Sequence, residues 1–281
     1  MTRTIAALAA TLAAWLSAGA DANATPPRDD ARTLRAVTPT GLLAPGESQF
    51  HVFLNAYTQT DVWNADGDRV DQGGRSTYVT AISSVTLGWK PTWNLGLDVL
   101  TKHVRDDRFA DADRSRTAVT AVIPHVVTSP FASLPRFAVE TGVSLPAASD
   151  LDGADGRPFL DYGDPAWIVK LYSDAPIGEY ALAYLETGGV TRFAGDGAQL
   201  ETPLRVFLNA YVSERWTVTA PIEATVRWVN DGAEDWYSQV GVGAKFQPGP
   251  RFEIEAIVTV FPAGRNTGAG STANLGFRLL R

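Results

Sequence analysis

Sixteen charged side chains fall on the polar positions of segments in which apolar and polar residues alternate. They are Lys90, Asp98, Lys102, Arg136, Glu140, Lys170, Asp174, Glu186, Arg205, Glu223, Arg227, Lys245, Arg251, Glu253, Glu255 and Arg278. Nine are basic and seven acidic. A ring of one sign would select ions of the other sign. Near-balance predicts ion pairs between neighbouring strands, with an eyelet of opposed charged walls as the functional alternative. Phe53, Tyr57, Tyr78, Tyr172, Phe207 and Tyr211 share the polar face, where they could narrow a pore or line it for an apolar or aromatic solute.

The other reactive groups are few. A hydrolase needs a nucleophile, a base and an orienting group held together. The histidines are His51, His103 and His125, with the first and third near one end of their segments and His103 near the other. No serine follows a hydrolase pattern, so the expectation is a non-enzymatic chain. Asn64-Ala-Asp66-Gly-Asp68 and Asp150-Leu-Asp152-Gly-Ala-Asp155 are oxygen-rich, but neither has the EF-hand spacing with its closing Glu. They read as solvated turns, so no metal and no cofactor is expected. There is no cysteine, hence no disulfide or thiolate chemistry, and a net charge of -7 argues against a nucleic-acid partner.

These residues need an element of period two to position them. Trp93, Leu95, Leu97 and Val99 share one face, with Asn94, Gly96, Asp98 and Lys102 opposite. Trp216, Val218, Ala220, Ile222, Ala224, Val226 and Trp228 oppose Thr217, Thr219, Glu223, Thr225 and Arg227. Phe252, Ile254, Ala256, Val258 and Val260 oppose Arg251, Glu253, Glu255 and Thr259. A helix would space its apolar residues three and four apart. Nine further segments complete a set of twelve: 49–59, 77–90, 117–128, 136–145, 166–174, 179–190, 204–213, 236–246 and 272–280. The segment 117–128 is apolar on both faces and carries Pro124, which cannot donate to a ladder, so a bulge is expected there.

The connections alternate between short turns and mostly longer stretches rich in Asp, Gly and Asn: 61–75, 106–116, 146–165, 191–203, 230–235 and 262–270. An even strand count with short turns at one end and long loops at the other predicts an all-β, twelve-stranded antiparallel transmembrane β-barrel with short periplasmic turns and long acidic outer loops. Trp89, Trp93 and Trp216 flank short turns; Trp167, Trp228 and Trp236 flank long connections. Two aromatic belts are what the two bilayer interfaces select. A soluble sandwich has no reason to sort its aromatics by connection length.

The chain begins Met-Thr-Arg-Thr, then runs apolar from Ile5 to about Ala20 and reaches Ala22-Asn23-Ala24, a small-x-small site. Residues 1–24 are therefore expected to be a cleavable signal peptide, which directs the chain to export and the cell outer membrane. Residues 25–47 are Pro-rich and charged, and form either a periplasmic tail or a small plug; the barrel occupies 48–281. Val52-Phe-Leu-Asn-Ala-Tyr57 recurs as Val206-Phe-Leu-Asn-Ala-Tyr211 on strands that would run in opposite directions, so it is not a simple duplication.

The first hairpin, from Asn55-Ala-Tyr57 through Asp61-Val-Trp-Asn-Ala-Asp66-Gly-Asp-Arg-Val-Asp71, resembles proteobacterial outer-membrane proteins of the "meta-pathway of phenol degradation" type. So do Leu134-Pro-Arg-Phe-Ala-Val-Glu-Thr-Gly-Val-Ser-Leu-Pro146 and Ala273-Asn-Leu-Gly-Phe277. The chain departs from the usual barrel ending, closing on Phe277-Arg-Leu-Leu-Arg281 rather than on an aromatic. The resemblance implies a barrel associated with uptake of small, often aromatic, molecules. The expectation is a passive channel for small solutes, with a closed structural or surface-interaction barrel as the alternative and a lipid-modifying enzyme behind both. The implied partners are outer-membrane lipid and lipopolysaccharide, the barrel-assembly machinery and a small-molecule solute.

Overall fold

The computed structural model describes residues 40–109, 113–153, 156–194, 197–229 and 232–281. The signal-peptide segment and most of the tail lie outside the described residues. The strands are β1 (Ser48–Trp63), β2 (Arg69–Lys90), β3 (Trp93–Asp106), β4 (Ser115–Thr128), β5 (Phe137–Pro146) and β6 (Ala166–Ile177). They continue as β7 (Ala181–Ala194), β8 (Gly197–Tyr211), β9 (Trp216–Val229), β10 (Gly232–Gly249), β11 (Phe252–Arg265) and β12 (Ser271–Leu280). A two-residue piece, Thr267–Gly268, precedes β12 and pairs with Val62 and Trp63 at the end of β1.

Each strand pairs antiparallel with its sequence neighbours, and β1 pairs with both β2 and β12. Phe53 is thus opposite Ile82 on one side and Gly276 on the other, and the sheet closes into a twelve-stranded barrel. Closure removes the open edges that would otherwise leave backbone groups unpaired. The seam is clamped where the chain ends meet: Ser48 N–H donates to the Arg281 carbonyl and Arg281 N–H to the Ser48 carbonyl, both at 2.8 Å.

Because the side-chain period is two, register fixes what faces in and what faces out. The outward set is apolar and bare: Val258 is 56% exposed, Val242 55% and Leu97 45%, with Val218, Ile222 and Leu275 in the same band. A soluble protein would cover such a surface, whereas a bilayer requires it. Trp89, Trp93 and Trp216 stand exposed near the short turns. Trp167 and Trp236 stand exposed near the opposite end, where Trp228 is half-buried and its Nε1 donates to Thr202 Oγ1 at 3.2 Å.

Two details differ from the pattern in the sequence. The bulge in β4 falls at Thr120, between the Leu100–Ala121 and Thr101–Val119 pairs, not at Pro124. Pro124 pairs opposite Leu97 and remains exposed. The long connections are present, but several are built of paired strand. Asp61 to Arg75 is largely hairpin, with Trp63 opposite Arg69 and Asn64 Oδ1 accepting the N–H groups of Asp66 and Asp68 at 2.9 and 2.8 Å. β7 and β8 likewise pair up to Ala194 and Gly197. Polar side chains above a bilayer can face water on both sides of a hairpin, so no alternation marks it as strand. The stretch 147–165 is the long irregular connection among the described residues.

Candidate functional site

The interior of the barrel divides into two levels. At the turn end lies a cavity of about 500 Å³. Its charged lining comes from inward positions paired directly across neighbouring strands. Glu140 on β5 is opposite Lys170 on β6, and Nζ lies 2.8 Å from Oε1. Arg205 on β8 sits between Glu186 on β7 and Glu223 on β9, at 2.7 and 2.9 Å. Lys245 on β10 is opposite Glu255 on β11 at 3.1 Å, and Glu253 is opposite Arg278 on β12 at 2.6 Å. The salt bridges are therefore consequences of register: a shift of one strand by one residue would turn its partner of each pair to the outer face and leave the other charge inside alone.

The histidines His51 and His125 both line this cavity. His51 Nε2 is 3.9 Å from Glu255, and His125 Nδ1 is 3.7 Å from Asp98. The His125 ring lies flat across the wall because its neighbours on β3 and β5 are glycines. A Cβ at Gly96 would come within 2.0 Å of His125 Nε2. His103 is on the other face of β3, where its Nδ1 is 2.7 Å from Thr117 Oγ1. It thus lies apart from the two cavity histidines.

Rings complete the lining. Tyr172 and Tyr184 stack at 6.0 Å between centroids, and Tyr184 meets Phe207 at 5.6 Å. The Tyr172 hydroxyl donates to Glu140 at 2.6 Å. The segment Thr40–Glu47 runs along the turn-end mouth. The Thr40 hydroxyl donates to Asp174, and Leu42 packs on the cluster of Val127, Ala138, Tyr172 and Tyr184. Leu43 packs on Leu280. With its amide oriented to satisfy both groups, Asn94 bonds the Leu43 backbone N–H and C=O at 3.0 and 3.3 Å. This backbone approaches β2 so closely that a Cβ at Gly88 would sit 2.0 Å from the Ala44 carbonyl oxygen.

At the loop end the interior is filled. Tyr57 meets Tyr78 at 6.1 Å and Phe261 at 5.2 Å, and Tyr237 meets Phe261 at 5.3 Å. The 147–165 connection folds inward over this layer, burying Leu151 and Leu160 against Val104. Asp161 accepts from Lys102 at 2.8 Å, and Arg116 donates to the Asp150 carbonyl at 2.5 Å. Tyr162 lies under two guanidiniums, Arg192 at 4.0 Å and Arg227 at 5.4 Å from its ring centre. Burial pushes the Tyr162 hydroxyl up in pKa while the two arginines pull against it.

Of the residues expected to line a lumen, Asp98, Glu140, Lys170, Glu186, Lys245, Glu253, Glu255 and Arg278 meet in the turn-end cavity. Arg205 and Glu223 join them through their ion pairs. Lys102 and Arg227 face inward at the loop level, paired with Asp161 and Asp235. Arg136 departs from its expected strand: β5 begins at Phe137, and Arg136 belongs to the preceding turn, where its carbonyl accepts from Asp174 N–H. Lys90 and Arg251 sit exposed at turns. Thr219, on the polar face of β9, is fully buried. Tyr184 shares the inward face of Glu186 two residues on and was legible there, though it is not among the inward aromatics named from the sequence; Leu42 and the loop residues Leu151, Leu160 and Tyr162 are not revealed by alternation. The signal for the last three was Leu151, the Phe159-Leu160 pair and Tyr162 in a connection dominated by Asp and Gly.

The fold is similar to the crystal structure of an outer membrane channel from Pseudomonas putida F1, with a TM-score of 0.70 at 12% identity over 92% of this chain and 100% of that one. It is also similar to the β domain of the Bordetella autotransporter BrkA, with a TM-score of 0.53 at 12% identity over 83% and 99% of the two chains. No family model matches the chain, and no curated protein matches it.

Proposed function

We propose that the protein is an outer-membrane barrel that passes small solutes passively. The observation that carries this is the turn-end cavity: about 500 Å³ walled by paired charges and rings, inside a barrel whose exterior is bare aliphatic surface. A structural scaffold would gain more from a packed interior, because buried ion pairs add little stability over apolar packing. The similar Pseudomonas putida structure, which is of an outer membrane channel, supports the reading. Kinship with the meta-pathway type and an aromatic solute belong to the same proposal, supported by the inward rings and the three quoted segments. The aliphatic band takes outer-membrane lipid, the acidic loop end meets lipopolysaccharide, and the barrel-assembly machinery inserts the chain.

Export requires the signal peptide, so the mature chain is proposed to begin at Thr25. Intact mass of membrane-purified protein checks this; retention of residues 1–24 contradicts it.

A second reading, a closed barrel working through its outer surface, is favoured by one feature: the 147–165 connection is packed into the loop end. Planar-bilayer recording separates the two. Discrete current steps from purified protein are expected. If it conducts, Glu223→Lys or Glu255→Lys changes its ion selectivity; silence in every membrane tried favours the closed barrel. Phospholipid hydrolysis lost on His51→Ala or His103→Ala would overturn both in favour of an enzyme.

A further inference from the structure

Part of the lining of the turn-end cavity is chain that belongs to no strand: Gly41 and Leu43 both face it. The residues around them hold different sides of the wall. Leu43 packs on Leu280 of β12. Leu42 packs on the cluster contributed by β4, β5, β6 and β7, and the Thr40 hydroxyl donates to Asp174 of β6. In a ring of twelve strands, β12 and β6 are six apart and therefore opposite each other. Four residues of extended chain reach roughly 13 Å. The segment thus spans the mouth of the cavity from wall to wall.

Its two ends are held differently. Ala44-Pro45-Gly46-Glu47 is a tight turn, with Glu47 N–H donating to the Ala44 carbonyl at 2.9 Å and Gly46 at a φ of 88°. Proline at the second position and a positive φ at the third make it type II. The Glu47 carboxylate also accepts the Ala44 N–H at 2.7 Å. Gly46 N–H donates to the Gly88 carbonyl and Gly88 N–H to the Glu47 carbonyl, both at 2.9 Å, which extends the β1–β2 ladder by one rung. That end cannot leave the wall without breaking the ladder. The far end is gripped by side chains, Thr40 on Asp174 and Leu42 on its cluster, so it can let go while the ladder stays whole.

We propose that Thr40–Leu43 is the size filter of the turn-end mouth, a bar hinged at the Pro45-Gly46 turn and latched on β6. Small solutes pass beside the bar, and a solute approaching the size of the cavity passes only when Thr40 and Leu42 release the far wall. The proposal rests on the channel reading for the direction of flow, but the barrier itself is measurable without conduction.

The test uses the absence of cysteine in the chain. Ser84, on the cavity wall, is replaced by cysteine in the folded full-length barrel, and its labelling is timed with N-ethylmaleimide and with a neutral, bulky diethylaminocoumarin-phenyl maleimide. Each rate is divided by the rate of the same reagent on the unfolded chain. The bulky reagent is expected to be about tenfold or more slower than the small one on this scale. Two changes should release the bar. Thr40→Val with Leu42→Ala removes the latch. Gly88→Ala suits a strand better than glycine, yet the three atoms nearest its new Cβ all belong to Leu43 and Ala44, so the bar must shift. Either should speed the bulky reagent by about fivefold or more and change the small one by less than about twofold. If one variant fails to fold, the other carries the test. Equal rates for the two reagents in the unaltered bar, exclusion of both, or a bulky rate that neither variant raises overturns the proposal. Release of the bar in a barrel that never conducts would sink the channel and keep the barrier. Conduction with a bulky rate that neither variant raises would do the reverse.

Discussion

The turn-end and loop-end halves of the interior are lined by the same strands in the same alternation, yet one is hollow and the other filled. At the turn end, charges meet their partners across the register and hold one another against the wall, which leaves space along the axis. At the loop end, wall pairs persist, Arg192 with Glu201 and Arg227 with Asp235, but partners from outside the sheet are added: Lys102 reaches Asp161, and Arg192 and Arg227 also cover Tyr162. What separates the halves is the inserted connection: where wall pairs stand alone a lumen remains, and where Asp161 and Tyr162 are drawn onto the wall the interior closes. Under the proposed channel function, the loop end would control passage and the turn end would set its selectivity.

The largest expected effect concerns the wall common to both halves. Arginine at Val218, Ile222 or Val258 should cost about 2–4 kcal/mol in reversible unfolding from lipid vesicles, because these positions face hydrocarbon. Thr217, one step away on the same strand and facing the cavity, should accept arginine for roughly 1 kcal/mol or less. Thr219, also inward on this strand, is fully buried and would not serve as the comparison. Equal costs at Val218 and Thr217 would mean the faces are misassigned.

The two halves should then respond differently to loss of a cation. Arg205→Ala leaves Glu186 and Glu223 facing each other across a rigid sheet, and should destabilise by about 1–3 kcal/mol in the same assay. Lys102→Ala leaves Asp161 on a connection that can turn to water, and should cost below about 1 kcal/mol. It should instead speed proteolytic cleavage within 147–165. Reversal of this order would show that the loop is as rigid as the wall.

Much of this was legible in the sequence because a strand has one period and two faces. Once Asp98 and Lys102 were set opposite Leu97 and Val99, a barrel with charges facing inward followed, but which charges meet, Glu140 with Lys170 and Glu253 with Arg278, is set by a register that alternation alone does not give. The repeated Val-Phe-Leu-Asn-Ala-Tyr segment shows the limit. Phe53 and Phe207 both reach the cavity, but because the strands run in opposite directions Tyr57 belongs to the filled level and Tyr211 to the turn end. The loop fill was hidden because Asp and Gly dominate its composition, and the contacts of Leu151 and Leu160 lie with Val104, far away in the chain. Leu42 and Leu43 were hidden likewise in a polar tail. Arg136 was misplaced because a turn residue beside a strand has no alternation of its own.

The most direct test compares planar-bilayer conductance of the full barrel with a variant in which residues 148–164 are replaced by a short Gly-Gly turn joining β5 to β6. The account predicts small or rare openings in the full barrel and a severalfold larger, steadier conductance in the shortened one, with the ion preference still set by the turn-end charges. No conductance from either protein, with both correctly folded, would contradict it.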